Sequence, residues 1–500
     1  MTVLAYLLEL TDIKSVLIFV SISLLLLDYF RNKPPANFPP GPRSLPFIGH
    51  LHHLTDFSKA HLEFAKFAEK YGNIFNFRLF GPRLVVLNGH KVVRELYVNQ
   101  ADHFADRPTG IPLFEDIFGG KGLVASNGYS WKQQRRFALH TLRNFGLGKS
   151  SLEPSILLEC RYLNEAFSNE QGKAFNPQWL INNAVSNIIC VLVFGERFEY
   201  SDDDFQALLR NINLAVSLEA GIWAQFYNMF PWIFRRIPGP HRKILTTWNK
   251  VVTFVRDKVE DHRADCDPSN PRDYIDFFLT EMEKWKDDKA AGFNVENLCF
   301  CTLDLFTAGT ETTSATLYWA LLYMIKYPEI QRKVQEEIDR VVGSSRQPSV
   351  ADQENMPYTD AVIHEIQRFG DVIPLNLVRS ATKETQVGEY VIPKGTMVMG
   401  TLNSILFDKT EWETPHIFNP AGHFLDAEGK FRKREAFLPF SLGKRVCPGE
   451  QLARMELFLF FTSLLQRFSF SPPEGVEPSL ESQLSSTNSP RPYRLCATPR

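Results

Sequence analysis

Pro439-Phe440-Ser441-Leu442-Gly443-Lys444-Arg445-Val446-Cys447-Pro448-Gly449-Glu450 is the stretch of this 500-residue chain on which its fold and chemistry turn. A single cysteine stands just before a helix expected over about 451–466, in a loop punctuated by Gly443, Pro448 and Gly449. Free N–H groups at a helix start, with Lys444 and Arg445 adjacent, would stabilise a thiolate, the form that ligates metal or attacks a substrate. A nucleophilic cysteine needs a base, and no histidine is near in sequence, although one could approach in the fold. A thiolate that holds iron needs none.

Upstream, residues 295–327 are nearly all apolar and stop at Pro328. At 1.5 Å per residue that is a helix of ~50 Å. Asp304, Glu311 and a threonine-rich centre would be costly in lipid, so it crosses a protein core. The centre reads Ala308-Gly309-Thr310-Glu311-Thr312-Thr313. Helical spacing puts Ala308 and Thr312 on one face with Gly309 beside them, a notch where a ligand could meet a hydroxyl and a carboxylate able to relay protons. A kink, with threonine bonding back to its own turn, accounts for these residues equally well. Glu365-Ile366-Gln367-Arg368 sets a carboxylate and a guanidinium three apart on a helix. Alone, that is most often a surface ion pair.

The rest of the chain limits the class. It is 44% apolar and 22% charged, with 28 Gly and 31 Pro, so it can build a large core, and disordered or fibrous classes are excluded. No repeat or linker divides it, and one large catalytic body is expected. The 55 basic and 57 acidic residues balance, and no basic block with interleaved aromatics appears, so nucleic acid is not an expected partner. Seven scattered cysteines fit a reducing compartment rather than a disulfide framework. Cys299 and Cys301 form a C-x-C without matching histidines, which does not suit zinc. Short β-type runs, Ile74-Phe75-Asn76-Phe77-Arg78-Leu79 and Arg83-Leu84-Val85-Val86-Leu87, flank Gly81-Pro82 as in a hairpin. From about 130 to 370 the pattern is helical.

At the amino terminus, residues 13–30 are apolar apart from Lys14, Ser21, Ser23 and Asp28, about 27 Å of helix against a bilayer core of ~30 Å. A signal peptide competes, since the uninterrupted apolar centre is of h-region length, but no small-residue cleavage site follows. Tyr29, Phe30, Arg31 and Lys33 suit an interfacial stop with the body in the cytosol. The expected organisation is an anchor over 1–33, a stiff Pro-rich hinge over 34–42, and a catalytic domain over 43–500.

Phe440, Gly443, Arg445, Cys447 and Gly449 spell F-x-x-G-x-R-x-C-x-G, which resembles the haem-binding signature of the cytochrome P-450 superfamily. The E-x-x-R at Glu365, the A-G-x-E-T-T at Ala308 and the W-x-x-x-R of Trp131 and Arg135 occur in that family's order. The likeness runs from anchor to C-terminus and is closest to microsomal family 2, its vertebrate arachidonate epoxygenase branch in particular. Segments such as Ile181-Asn182-Asn183-Ala184-Val185-Ser186-Asn187-Ile188-Ile189-Cys190 and Arg434-Glu435-Ala436-Phe437 carry it. The resemblance implies a mainly α fold with a small β-rich lobe and haem b ligated by the Cys447 thiolate, which favours O–O cleavage. It implies that Thr312 and Glu311 organise proton delivery to bound oxygen and that Gly309 makes room for it. Arg107, Trp131, Arg135, Arg379 and Arg445 would hold the haem propionates. Glu365 and Arg368 would form a structural pair, with His423 where many members have arginine.

By the same resemblance the substrate contacts are Ile111, Phe114, Ile117, Phe118, Phe306, Ala308, Ile373 and Leu377, an apolar lining for a lipid. The run Phe226-Tyr227-Asn228-Met229-Phe230-Pro231-Trp232-Ile233-Phe234-Arg235-Arg236 would dip into a membrane interface. No nucleotide-binding loop appears, so electrons must come from a partner: NADPH-cytochrome reductase, with cytochrome b5 also implied. Lys132, Arg136, Lys444 and Arg432-Lys433-Arg434 could dock it, although a solvated face accounts for them equally. The expectation is a monooxygenase on the cytosolic face of the endoplasmic reticulum, epoxidising or hydroxylating polyunsaturated fatty acids such as arachidonate, with steroids and xenobiotics also in range. A reductase-independent peroxide isomerase and a non-catalytic haem-binding protein are the rivals. The intact Gly309 to Thr312 sequence argues against the isomerase.

Overall fold

The computed structural model describes residues 13–54, 56, 59–78, 82–145 and 152–500. Its longer helices are α1 (Ile13–Arg31), α2 (Gly128–Asn144), α3 (Glu153–Asn169), α4 (Gln178–Phe194), α5 (Asp203–Glu219), α6 (His241–Asp265), α7 (Val295–Lys326), α8 (Pro328–Val341), α9 (Pro357–Gly370) and α10 (Glu450–Arg467). The strands are β1 (Ile74–Arg78), β2 (Arg83–Leu87), β3 (Arg379–Ser380), β4 (Thr385–Val387), β5 (Tyr390–Ile392), β6 (Met397–Gly400), β7 (Phe468–Ser471), β8 (Ser482–Leu484), β9 (Asn488–Pro490) and β10 (Cys496–Pro499). The expected mainly α body with a small β-rich lobe is what forms.

Helix α7 organises the body. Asn294 caps it by accepting from the Asn297 N–H at 2.9 Å, and Pro328 ends it, since proline disfavours helical geometry in its predecessor. Apolar residues surround its circumference, so it is wrapped by α4, α6, α9 and α10 rather than lying on a surface. Helix α10 is likewise buried along most of its length, and α7 against α10 forms the centre of the largest core.

The lobe is a sheet in the order β1-β2-β6-β3. β1 and β2 pair antiparallel, Phe75 opposite Val86, as the hairpin reading requires; Leu79 and Gly81 of that reading lie outside the described residues. β6 joins β2 in parallel, Val398 opposite Val85. Alternation along β2 feeds two separate cores. Val86 packs with Phe75, Phe77 and Met399, while Val85 and Leu87 pack with Tyr97, Val398 and Trp412.

The Pro-rich segment is not a free linker. Asn76 donates from its side chain to the Pro39 carbonyl at 2.6 Å and from its backbone to Pro40 at 2.7 Å. A Cβ at Gly41 would lie 2.3 Å from the Asn76 carbonyl oxygen, so only glycine lets the segment approach β1 this closely. The end of α1 is tied down as well, Arg83 donating to the Asn32 carbonyl at 2.6 Å and Arg78 standing 3.5 Å from Asp28. Among the described residues no helix is long and apolar enough to cross a membrane. Helix α1 carries Lys14, Asp28 and Arg31 within its 19 residues.

A buried cluster joins α6 to the helix Tyr274–Lys284. His262 Nε2 meets Asp273 at 2.9 Å, Asp273 also caps that helix, and Asp276 is held by Arg272 at 2.7 Å. Burial works against the His262 cation, but Asp273 outweighs it and raises its pKa. A histidine raised in the folded state adds stability that is complete below its unfolded value of about 6.5 and fades as pH rises through its folded value. The stability gap between the protein and His262→Gln is therefore expected to be widest near pH 6 and to narrow by pH 9, read from urea midpoints.

Candidate functional site

The loop before α10 is held by its own backbone. The Cys447 N–H donates to the Phe440 carbonyl at 3.0 Å and the Val446 N–H to Gly443 at 3.1 Å. Gly443 has a φ of 76°, and a Cβ there would stand 1.8 Å from the Tyr97 carbonyl oxygen, so the F-x-x-G spacing is a steric demand. Cys447 is exposed, with half-buried Val446 and Pro448 on either side of it. Surrounding protein nevertheless raises its thiol, the Gly449 N–H and Arg135 opposing that effect. The two cations expected to serve the sulfur do not. Lys444 pairs with Asp102, and Arg445 turns to the carbonyls of Ala105 at 2.6 Å and Ser126 at 2.7 Å. The charge that favours the thiolate is Arg135, which reaches the Val446 carbonyl at 2.5 Å.

Five residues singled out from distant parts of the sequence, Arg107, Trp131, Arg135, Arg379 and Arg445, meet beside this loop. Arg445 stacks on the Trp131 ring at 3.8 Å and Arg379 on the Tyr97 ring at 3.6 Å. Arg379 also donates to the Leu442 carbonyl at 2.7 Å, and Arg107 to the carbonyls of Leu377 and Val378 at 3.0 Å. Burial, with the other arginines adding to it, lowers Arg107 to about 10 and Arg445 to about 8. Arg379 and Arg135 are lowered too, burial first. Such a cluster of cations is suited to an anionic ligand.

Sequence reasoning missed two residues here and gave a third no partner. Asn127 accepts the Arg107 N–H at 2.6 Å and Arg445 Nη2 at 3.1 Å; Tyr97 supplies the ring under Arg379; Asp304 accepts the N–H groups of Leu123 and Val124 at 2.6 and 2.9 Å. Burial pushes Asp304 up to about 7. Lone Asn and Tyr residues carry no spacing signal, and Asp304 could be read only as a polar group inside an apolar helix.

On α7 the notch is real but differently built. Ala308 is exposed in the middle of an otherwise buried helix, with Gly309, Glu311 and Thr312 half-buried beside it. Gly309 does not open that space: a Cβ on it would meet Ile189 Cδ1 on α4 at 2.6 Å, so the glycine permits close packing of α4 on α7. Helix α7 is unbroken there, and the Thr312 hydroxyl donates to the Ala308 carbonyl at 2.9 Å. Glu311 accepts from Thr487 Oγ1 at 3.0 Å and is raised by burial. It lines a cavity of about 20 Å³ with Gln178, Asn182, Asn213 and Ser314, room for about one water.

The expected substrate contacts separate into groups. The rings of Phe114 and Phe118 meet at a tilt with centroids 4.6 Å apart, and Phe118 continues to Trp248 and Phe300. Ile117 packs against the same core, and Ile111 precedes that helix half-buried. Phe306 is fully buried against Phe194, and so belongs to the core rather than to a lining. Ile373 packs on the lobe's core, and Leu377 is exposed, with its carbonyl on Arg107.

Glu365 and Arg368 are not a surface pair. Both are fully buried and bidentate at 2.7 and 2.9 Å, His423 Nδ1 reaches the same carboxylate at 3.0 Å, and Arg368 also holds the carbonyls of Leu406 and Pro415. Burial opposes the Glu365 charge, but Arg368 and His423 prevail and hold it below the usual carboxylate range. Histidine therefore fills the third position with a direct contact.

Residues 39–497 match the family model for cytochrome P450. The chain belongs to the cytochrome P450 family. It is 51% identical to cytochrome P450 2J2 of Homo sapiens over 477 residues, 95% of this chain and 94% of that protein. It is 50% identical to cytochrome P450 2J3 of Rattus norvegicus over the same shares, and 48% identical to cytochrome P450 2J1 of Oryctolagus cuniculus over 97% of this chain and 96% of that one. This P450 is accordingly a haem-dependent monooxygenase whose iron takes a cysteine thiolate. Its own atoms fit that group: Trp131 Nε1 and Arg379 Nε and Nη1 are buried donors without a partner among the described residues, as propionate recognition requires.

Proposed function

We propose that this P450 epoxidises or hydroxylates polyunsaturated fatty acids such as arachidonate at the endoplasmic reticulum membrane, drawing electrons from NADPH-cytochrome reductase. The observation that carries the reading is the conjunction of an exposed Cys447, at the start of a buried helix, with unpartnered donors on Trp131 and Arg379. Cys447 ligates the iron, and Arg107, Trp131, Arg135, Arg379 and Arg445 hold the propionates. The haem, when bound, supplies dioxygen binding and redox chemistry, and the thiolate favours O–O cleavage. Overall, one oxygen atom enters the substrate and the other leaves as water, with NADPH and a proton consumed.

The chain's own part is to deliver protons and exclude water. Glu311, whose proton affinity burial raises, can take up and give a proton and refill from the polar cavity beside it. The Thr312 hydroxyl, released from the Ala308 carbonyl by rotation, passes that proton to the ligand side of α7. Phe114, Ile117, Ala308, Ile373 and Leu377 face the substrate. Exposed apolar side chains along α1, from Leu17 to Phe30, and the exposed Trp223 and Trp232 support attachment to a bilayer through residues 1–33 and the 226–236 run, which lies largely in the short helices Ile222–Met229 and Pro231–Phe234.

The reductase docks on the groove of about 920 Å³ that runs past Trp131, Lys132, Arg136, Arg143 and Lys444. The free cations for docking are fewer than the sequence suggests, since Lys444 in the groove is paired with Asp102, and Arg432 and Arg434, outside its lining, are paired with Glu413. Cytochrome b5 would compete there.

The test is NADPH consumption with and without reductase and arachidonate, beside Thr312→Ala. Oxygenated lipid that depends on both is expected. In Thr312→Ala product per NADPH should fall at least about tenfold, a little less than the ~10²-fold of a positioned acid because water substitutes in part. Peroxide rearrangement without reductase would support the isomerase, and no turnover at all a binding protein.

A further inference from the structure

Glu456 sits in Met455-Glu456-Leu457-Phe458-Leu459-Phe460-Phe461, the most apolar stretch of α10, nine residues beyond Cys447. It is 1% exposed, and neither carboxyl oxygen has a hydrogen-bond partner among the described residues. Among the described residues no guanidinium or ammonium hydrogen-bonds it. Across the α7–α10 interface the polar group that faces it is Thr313, itself 3% exposed and next in sequence to Thr312. Cys160 on α3 is the titratable side chain that feels its field. An ionised carboxyl without a counter-charge in such a place is prohibitive, so the group is a neutral acid. Burial pushes it up to about 8. A neutral acid has one O–H to give, and the Thr313 hydroxyl oxygen can accept it.

A leucine would fill this position at lower cost, because an unsatisfied buried polar group is a net loss unless it does something. We propose that Glu456 is a positioning residue: a protonated carboxyl on the helix that follows the Cys447 loop, donating to Thr313 Oγ1 and so setting the rotation of the α7 turn that carries Glu311 and Thr312. The helix that carries Thr312 and the helix that follows the Cys447 loop are then registered by one polar contact within an apolar interface, as a single buried polar residue sets register elsewhere. This rests on the oxygen-activating role of Thr312 proposed above.

Three variants and two readouts test it. Glu456→Leu should melt at or above the temperature of the unmodified holoprotein, yet lose about fivefold in product formed per NADPH, with the excess appearing as hydrogen peroxide. Glu456→Gln, whose amide can still donate, should recover most of the loss. Adding Thr313→Val to Glu456→Leu should cost nothing further, because the two act through one contact. Independently of turnover, the infrared difference between the unmodified protein and Glu456→Gln should show the carbonyl stretch of a protonated acid at neutral pH, shifted in Thr313→Val. Unchanged coupling in Glu456→Leu, or no protonated-acid band, overturns the proposal. If Thr312→Ala itself leaves coupling intact, the relay fails instead, and the infrared shift still decides the Glu456–Thr313 contact.

Discussion

Cys447→Ala abolishes the far red-shifted Soret band of the reduced, carbon monoxide-bound protein and with it all reductase-supported oxygenation. Loss of groups that merely orient a metal ligand costs about 10–100-fold, so loss of the ligand itself should exceed that and reach background. The loop should survive the change, because what shapes it is the Cys447 N–H to the Phe440 carbonyl and the seat of Gly443 against Tyr97, neither of which uses the sulfur. Near-native far-ultraviolet circular dichroism with the band absent is the expected pairing. A retained thiolate band would mean that another cysteine holds the iron, and the arginine cluster would then need a different ligand.

The largest effect on stability is expected from Glu365→Ala. It removes the counter-charge of a fully buried Arg368 and the acceptor for His423 and the Asn419 N–H at 2.8 Å. Breaking a buried pair from one side costs about 3–5 kcal/mol, against a total of about 5–15 kcal/mol for a folded domain. The variant should therefore accumulate little folded, haem-loaded protein at 37 °C, and its urea midpoint at low temperature should fall accordingly. Glu365→Gln should suffer less, since it keeps an acceptor for Arg368 while losing the charge. A midpoint within error of the unmodified protein would show that water replaces the carboxylate.

Both residues were legible because their roles impose spacing. A thiolate that must meet iron ahead of a helix, and a carboxylate that must reach a guanidinium one turn away, leave patterns that survive without coordinates. The misreadings share a cause. Gly309 is explained by Ile189, which comes from a helix more than a hundred residues earlier, and Lys444 by Asp102, more than three hundred residues earlier. Long-range partners like these leave no local periodicity. Asn127 and Tyr97 escaped notice because their partners Arg445 and Arg379 are hundreds of residues away and leave no spacing between residue types. Phe306 was named by resemblance alone, and its burial against Phe194 is a long-range contact that no local pattern reports. The Pro-rich segment read as a hinge because proline content reports stiffness, whereas its seam to β1 depends on Asn76 and on the absence of a side chain at Gly41.

The four crowded guanidiniums also bear on how many molecules a cell keeps. Arg135 and Arg379 depress Arg107, and all three depress Arg445, so a dianionic ligand is favoured there; binding only the folded chain, it stabilises it by mass action, about 4 kcal/mol at a thousandfold excess over Kd. Abundance then tracks cofactor supply: chains made faster than haem is delivered stay open to proteases, and the population is trimmed to the number that can work.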